Sequence, residues 1–308
     1  VGVAVALISG VVWAQGLAKA LHQEQQGPEN PAHAVGQCAD CHTAGERLPT
    51  KGAVMEAILN ATEAYLKADK QALGKRLALP MMIVTAQEGG AQADQITRQM
   101  FDEIQPPGPV SDAAAVKMSA IRVELLAYNV ALASFDLEPG AVPTGLSPGR
   151  WAVFLAREAG EWKMAAVAIG PTEAGEPDED ARATLEAMVR DQIGAFVTGE
   201  QEKYLTTYAD EVVSVSPDWG ARAVGEQELR GAYQGLAELI VQGGIARVEP
   251  GDLRISLLGP NAAIVEFDAR GLDDGGMQIG HRNQAYFLVR DEGPWRIVAE
   301  AVGMPEEG

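Results

Sequence analysis

Cysteine, histidine and basic residues are all scarce in this sequence. Its 308 residues include only two cysteines and four histidines, and 24 basic residues stand against 43 acidic ones, giving a formal net charge of −19. A surface with this excess of carboxylates repels phosphates, so nucleic acid is not an expected partner. The field would instead favour a basic protein partner. A hydrophobic content of 47% is enough to form the cores of two compact domains.

Charge is also missing from the first part of the chain, where Lys19 is the first charged residue. Residues 1–17 are apolar apart from Ser9, Gln15 and glycines, which predicts an apolar helix within residues 1–24. We expect a retained membrane anchor that places the rest of the chain outside the cytoplasm, in the periplasm or at the cell surface. A cleaved signal peptide and a helix buried in an assembly are the alternatives.

The two cysteines form one motif, Cys38-Ala39-Asp40-Cys41-His42. Two thiols at this spacing can bond to the two vinyl groups of one porphyrin, and His42 then presents an imidazole to the iron. A zinc site would need two further ligands, whereas a disulfide and a redox dithiol remain alternatives. We therefore predict one covalent haem c within residues 25–51, bound by Cys38, Cys41 and His42.

The sequence does not identify the second axial ligand of the haem iron. His33 lies five residues before Cys38 and is one candidate, and the thioether of Met55 is another. His22 and a ligand from another protein are further alternatives. The string from Gly36 to Thr43 resembles the haem-binding segments of c-type cytochromes, and this resemblance implies electron transfer.

The remainder of the chain repeats itself. The segment from Phe154 to Lys163 matches the segment from Phe287 to Arg296 at an offset of 133 positions. Each copy places helices before strands, which predicts two α+β domains at residues 52–170 and 180–308, joined by a linker at residues 171–179. We predict one helical stretch over 53–77, and we predict that the two domains pack independently. Trp162 and Trp295 are expected at equivalent, half-buried positions.

In the second copy, three segments resemble the SnoaL-like family, which includes ketosteroid isomerase and is related to nuclear transport factor 2. They are Tyr208 to Val213, Gly225 to Leu229 and Trp295 to Val298. This resemblance implies a strongly curved sheet wrapped around helices, forming a cone with a pocket at its open end. It covers about 180–303 and, more loosely, 53–170.

An enzyme of this shape would need a positioned base and an oxyanion stabiliser in the pocket. No matching set can be assigned, so no catalytic residue is predicted. The candidate polar residues of the second pocket are Tyr208, Asp210, Asp218, Tyr233, His281 and Arg282.

These observations predict a membrane-tethered cytochrome that acts as the electron-transfer subunit of a larger assembly. The paired domains would serve as scaffold or docking modules, and the partners would be other subunits or a basic redox protein. The alternatives are a self-assembling haem-bearing subunit and a small-molecule binder or enzyme that uses a SnoaL-like pocket.

Overall fold

A computed structural model describes residues 50–87, 90–104, 117–138, 148–171, 179–291 and 293–304. The predicted apolar helix at 1–24, the motif from Cys38 to His42 and His33 lie outside the described residues. Within the described ranges, no helix is both long enough and apolar enough to cross a membrane.

The described residues of the first half form three helices and six strands. They are α1 (Lys51–Leu66), α2 (Lys70–Arg76), β1 (Leu77–Gln87), β2 (Gly90–Ile96), α3 (Arg98–Glu103), β3 (Lys117–Ala127), β4 (Val130–Glu138), β5 (Gly149–Glu158) and β6 (Glu161–Gly170). The predicted single helix over 53–77 is wrong, because Ala68 has a left-handed φ of 54° and separates α1 from α2. The Asp69 side chain then accepts a hydrogen bond from the Ala72 amide and caps α2.

The second half contains three helices and seven strands. They are α4 (Glu179–Val197), α5 (Gln201–Leu205), β7 (Tyr208–Ser216), β8 (Gly220–Val224), α6 (Glu226–Gln242), β9 (Arg247–Pro250), β10 (Arg254–Gly259), β11 (Ala262–Leu272), β12 (Gln278–Val289) and β13 (Arg296–Gly303). The chain is interrupted between β9 and β10 at Pro250 and Gly251. Pro250 lacks an amide hydrogen, and the Gly251 amide that follows it donates to the Asp268 carbonyl.

The two sheets have the same topology. The first has the order β2-β1-β6-β5-β4-β3, and the second has the order β8-β7-β13-β12-β11-β10, with β9 added beside β11. In both, the last strand pairs in parallel with the first, β6 with β1 and β13 with β7, while the other pairs are antiparallel. This mixed α+β architecture with two sheets agrees with the predicted pair of cone folds.

Each sheet packs one face against its own helices. Trp162 belongs to the helix-facing core of the first half and Trp295 to that of the second. Their equivalence is confirmed, but both are fully buried, at 4% and 3% exposure, rather than half-buried. Trp162 is the second residue of β6 and Trp295 immediately precedes β13, and both side chains lie on the helix-facing side.

The other face of each sheet packs against the other sheet, so the prediction of independent packing is wrong. One apolar core takes residues from both halves, and the Phe154 and Phe287 rings stack at its centre with centroids 3.8 Å apart. These two residues are equivalent in the repeat. Since each contacts its own counterpart, a pseudo-twofold axis passes between the sheets, as in an isologous dimer interface.

Two glycines show the same reciprocity. A Cβ atom on Gly170 would lie 1.8 Å from the Leu258 carbonyl oxygen, and one on Gly303 would lie 2.1 Å from the Leu126 carbonyl oxygen. Gly170 and Gly303 are repeat equivalents at the ends of β6 and β13. Only glycine permits the sheets to approach this closely at these two positions.

Charged groups close one end of the interface. The Arg122 guanidinium donates to both carboxylate oxygens of Glu266 across the interface, each at 2.7 Å. Burial raises the pKa of Glu266, and the hydrogen bonds and charge of Arg122 oppose that rise. The pair therefore fixes the register of the two sheets more than it adds stability.

The stacked rings generate a testable prediction. Phe154→Ala and Phe287→Ala should each lower the free energy of unfolding by about 3–5 kcal/mol, because both side chains are fully buried. The double variant should lose less than the sum, because the second truncation removes a ring whose partner is already gone. Chemical denaturation of the four proteins measures this coupling.

Phe135 and Phe267 provide the matched control. They are also repeat equivalents and both are 5% exposed, but they lie in separate helix-facing cores. The losses in the free energy of unfolding caused by Phe135→Ala and Phe267→Ala should be additive. Coupling as large as that of Phe154 with Phe287 would contradict the shared core.

Candidate functional site

The second half encloses a cavity of about 300 Å³ between α4, α6 and the helix-facing side of its sheet. Its apolar wall consists of Ile193, Phe196, Leu236, Ile240, Ile245, Val248, Ala269 and Met304. Its polar lining consists of Gln192, Tyr204, His281, Arg282, Gln284 and Tyr286. A mostly apolar cavity with a few convergent polar groups is typical of a small-molecule site.

Strand β12 supplies much of the polar lining because side chains alternate across a strand. Arg282, Gln284 and Tyr286 lie two residues apart and line the cavity. Ala285 and Phe287 face the opposite way, into the core shared by the two sheets. A strand with both faces covered thus separates the cavity from the interdomain core.

A hydrogen-bonded chain lies beside the cavity. The Tyr208 hydroxyl donates to Glu300 Oε2 at 3.0 Å, and the Ser214 hydroxyl donates to Glu300 Oε1 at 2.9 Å. Tyr204 and Tyr208 place their hydroxyl oxygens 3.0 Å apart. Because Tyr208 gives its proton to Glu300, Tyr204 is the donor in that contact. Both carboxylate oxygens of Glu300 are therefore occupied.

Burial raises the pKa of the Tyr208 and Tyr286 hydroxyls well above the ordinary tyrosine value, and the nearby Glu300 carboxylate raises it further. The pKa of Tyr204 is raised for the same two reasons. The charge of Arg282 opposes the rise in the pKa of Tyr204 and Tyr286. All three phenols consequently remain protonated donors at neutral pH.

Gln192, which lines the cavity, has one side-chain atom without a hydrogen-bond partner. Its side chain is 1% exposed, and Nε2 donates to the Thr207 hydroxyl oxygen at 3.0 Å. Its Oε1 atom is buried and accepts no hydrogen bond from any residue that the structure describes. A buried acceptor without a donor lowers the stability of the protein.

The predicted polar residues of this pocket lie at different distances from the cavity. Arg282 and His281 line the cavity, and Tyr208 belongs to the chain that ends at Glu300. The Tyr233 ring packs edge-on against Phe196, 5.4 Å between centroids, behind the cavity wall. The candidates Asp210 and Asp218 are exposed and do not line the cavity.

Sequence reasoning missed Gln192, Ser214, Gln284, Tyr286 and Glu300. A glutamate between two alanines in an otherwise apolar final strand, Ala299-Glu300-Ala301, was the available signal for Glu300. Gln192 carries a weaker signal as a polar residue beside Ile193 on the buried face of α4.

The first half has a smaller cavity of about 120 Å³, and every residue lining it is uncharged. Met55, predicted as a possible haem ligand, is 2% exposed and packs in the neighbouring helix-facing core. Its sulfur fills that core and does not reach the surface. Within the described ranges, no three His, Cys, Asp or Glu side chains are grouped so as to hold a metal ion.

Residues 179–305 match the family described as NTF2-like protein (DUF6841). No curated protein matches the sequence. Among solved structures, a ketosteroid isomerase-like protein from Erwinia carotovora is 18% identical with a TM-score of 0.31, over 40% of this chain and 94% of its own.

Two further solved structures show similar values. A protein of unknown function with a cystatin-like fold from Nostoc punctiforme is 15% identical with a TM-score of 0.35, over 41% of this chain and 92% of its own. An NTF2-like protein from Shewanella oneidensis is 14% identical with a TM-score of 0.34, and the match covers 40% of this chain and 98% of its own.

The cone-shaped α+β fold and its cavity thus define a class of domain, and residues 179–305 form an NTF2-like domain of that class. The SnoaL-like resemblance of the second half is confirmed at the level of the fold.

The buried phenols can be tested by spectrophotometric titration. Of the six tyrosines in the chain, Tyr204, Tyr208 and Tyr286 should not ionise near pH 10, where exposed tyrosines do. Because their pKa is raised in the folded state, the stability they contribute is complete below the ordinary tyrosine pKa. It is lost as the pH rises through the folded value.

The absorbance of tyrosinate should therefore rise in two steps, the second coinciding with alkaline unfolding monitored by circular dichroism. Tyr208→Phe should remove one group from the second step. Complete ionisation in one step, before any unfolding, would contradict the buried network.

Proposed function

We propose that the NTF2-like domain binds a small amphipathic molecule in its 300 Å³ cavity. The observation that carries this proposal is the cavity itself, whose mostly apolar wall is combined with a few polar side chains, among them Tyr204, Arg282 and Gln284. The ligand would place its polar group among these polar side chains and its apolar part against Ile193, Leu236 and Ile240.

The polar groups support binding better than catalysis. Glu300 accepts two hydrogen bonds and is thereby unsuited to remove a proton from a ligand. His281 lies at the cavity margin with Nε2 3.7 Å from Asp268 Oδ2, and 37% of its side chain is exposed. The phenols and amides are instead fixed hydrogen-bonding groups of the kind that orient a ligand.

The neutral fluorescent probe N-phenyl-1-naphthylamine tests this proposal. Its emission should increase on binding to the full chain, and Ala269→Leu should weaken binding because the added side-chain carbons enter the cavity. Fluorescence titration measures the affinity of the probe for the unaltered chain and for the Ala269→Leu variant.

Two variants control this experiment. Ala61→Leu fills the first-half cavity and should leave probe affinity unchanged, as should Ala223→Leu on the exposed surface of β8. Absence of probe binding, or loss of binding in Ala61→Leu alone, would contradict the assignment to the second half.

A second function is favoured by the motif at Cys38, Cys41 and His42. We propose that these residues hold one haem c, which when bound supplies one-electron redox chemistry. The donor set fits the group, with two thiols for the vinyl carbons and one imidazole for the iron. The chain would then be an extracytoplasmic electron-transfer protein held at a membrane by residues 1–24, acting with other subunits or a basic redox partner.

The fold limits where this haem can lie. His42 precedes Thr50, the N-cap of α1, by eight positions, a reach of at most roughly 27 Å. The porphyrin would lie near the N-terminus of α1. Met55 is committed to the core, so His33, His22 and a ligand from another protein remain candidates for the second axial position.

A pyridine haemochrome spectrum of the full chain, produced in cells that mature c-type cytochromes, should show one haem per chain, and mass spectrometry should show its mass added. His42→Ala should abolish the low-spin spectrum. His281→Ala, at the only histidine in the described part, should leave it unchanged. Two unmodified thiols or a Cys38–Cys41 disulfide would overturn this function while leaving cavity binding intact.

A further inference from the structure

Arg282 is half-buried and lines the cavity of the NTF2-like domain. It faces inward because it alternates along β12 with residues that face the interdomain core. Tyr204 and Tyr286 line the same cavity, and the charge of Arg282 opposes the rise in their pKa. A fixed positive charge therefore stands at the polar end of an otherwise apolar cavity.

This guanidinium forms no ion pair within the described part of the chain. Arg122, Arg230 and Arg254 all form ion pairs with glutamates. Arg282 forms neither an ion pair nor a hydrogen bond with any residue in the described ranges, although the chain has 43 acidic residues. In a protein with net charge −19, an unpaired, partly buried arginine points to an anion supplied from outside.

The neighbouring carboxylates of Glu300 and Asp268 interact with residues other than Arg282. Glu300 accepts from Tyr208 and Ser214 and is not within ion-pair distance of Arg282. Asp268 pairs with Arg270 and lies near His281. The five N–H donors of Arg282 thus remain free for a planar anion, which guanidinium binds by two parallel hydrogen bonds.

We infer that the ligand of this cavity is an amphipathic carboxylate whose anionic head binds Arg282 and whose apolar part lies along Ile193, Leu236 and Ile240. This inference rests on the proposed binding function and names its ligand class. Met304 lines the cavity yet is 68% exposed, so it marks the open mouth through which a longer apolar chain could extend.

Displacement of bound N-phenyl-1-naphthylamine from the full chain by three ten-carbon molecules tests the inference. Decanoate, decanol and decylammonium share one apolar body and differ in head-group charge. Below their micellar concentrations and at mildly alkaline pH, decanoate should bind roughly tenfold or more tightly than decanol, with decylammonium weakest.

Arg282→Gln should remove the preference for decanoate, so that decanoate no longer displaces the probe at lower concentration than decanol does in the same variant. Arg282→Lys should restore part of it, because lysine keeps the charge but not the bidentate geometry. Arg222→Gln is the matched control, since Arg222 is exposed and stacks on Trp219, 4.2 Å from the ring centroid.

The outcomes separate the two proposals. Probe binding without a preference for decanoate, or a preference that survives in Arg282→Gln, overturns the carboxylate assignment and leaves the binding function standing. Absence of binding by the probe and by all three competitors overturns the binding function itself.

Discussion

The stack of Phe154 on Phe287 is the contact on which the rest of the architecture depends. It joins equivalent residues of two repeated domains, so the chain makes within itself the kind of interface that an isologous dimer makes between two copies. Gly170 and Gly303 allow the sheets to approach, and Arg122 with Glu266 fixes their register. The core formed in this way is apolar on both sides and belongs to neither domain alone.

Burying the two sheets against each other has a consequence for function. Each sheet has one face packed against the other sheet, and the cavities of about 300 Å³ and 120 Å³ lie on the helix-facing sides. The cavities therefore lie on opposite sides of a rigid, doubly covered pair of sheets. Side chains such as Arg282 and Tyr286 project from strands, which hold them more firmly than loops would.

The repeat and the alternation of apolar residues were sufficient to predict the α+β class, the two halves and most later strands. They could not show that the halves share a core, because an apolar residue facing a partner domain looks the same in sequence as one facing a helix. Arg282, His281 and Tyr208 were found as polar residues in a domain of known shape. Gln192 and Glu300 were not, since their significance depends on which atoms lack or share partners.

Comparing equivalent positions shows why the two cavities differ. The polar residues Gln192, Tyr204, Tyr208, Ser214, Gln284 and Glu300 of the second half correspond to Thr62, Leu73, Leu77, Ile83, Trp151 and Val167 in the first half. Thr62 satisfies its own hydroxyl by donating to the Ile58 carbonyl at 2.9 Å. Trp151 Nε1 in the first cavity is as buried and unpartnered as Gln192 Oε1 in the second, so an unpartnered polar atom does not distinguish the two cavities. Charge does: every residue lining the first cavity is uncharged, whereas Arg282 brings an unpaired guanidinium to the second, and we therefore propose an anionic ligand for the second half alone.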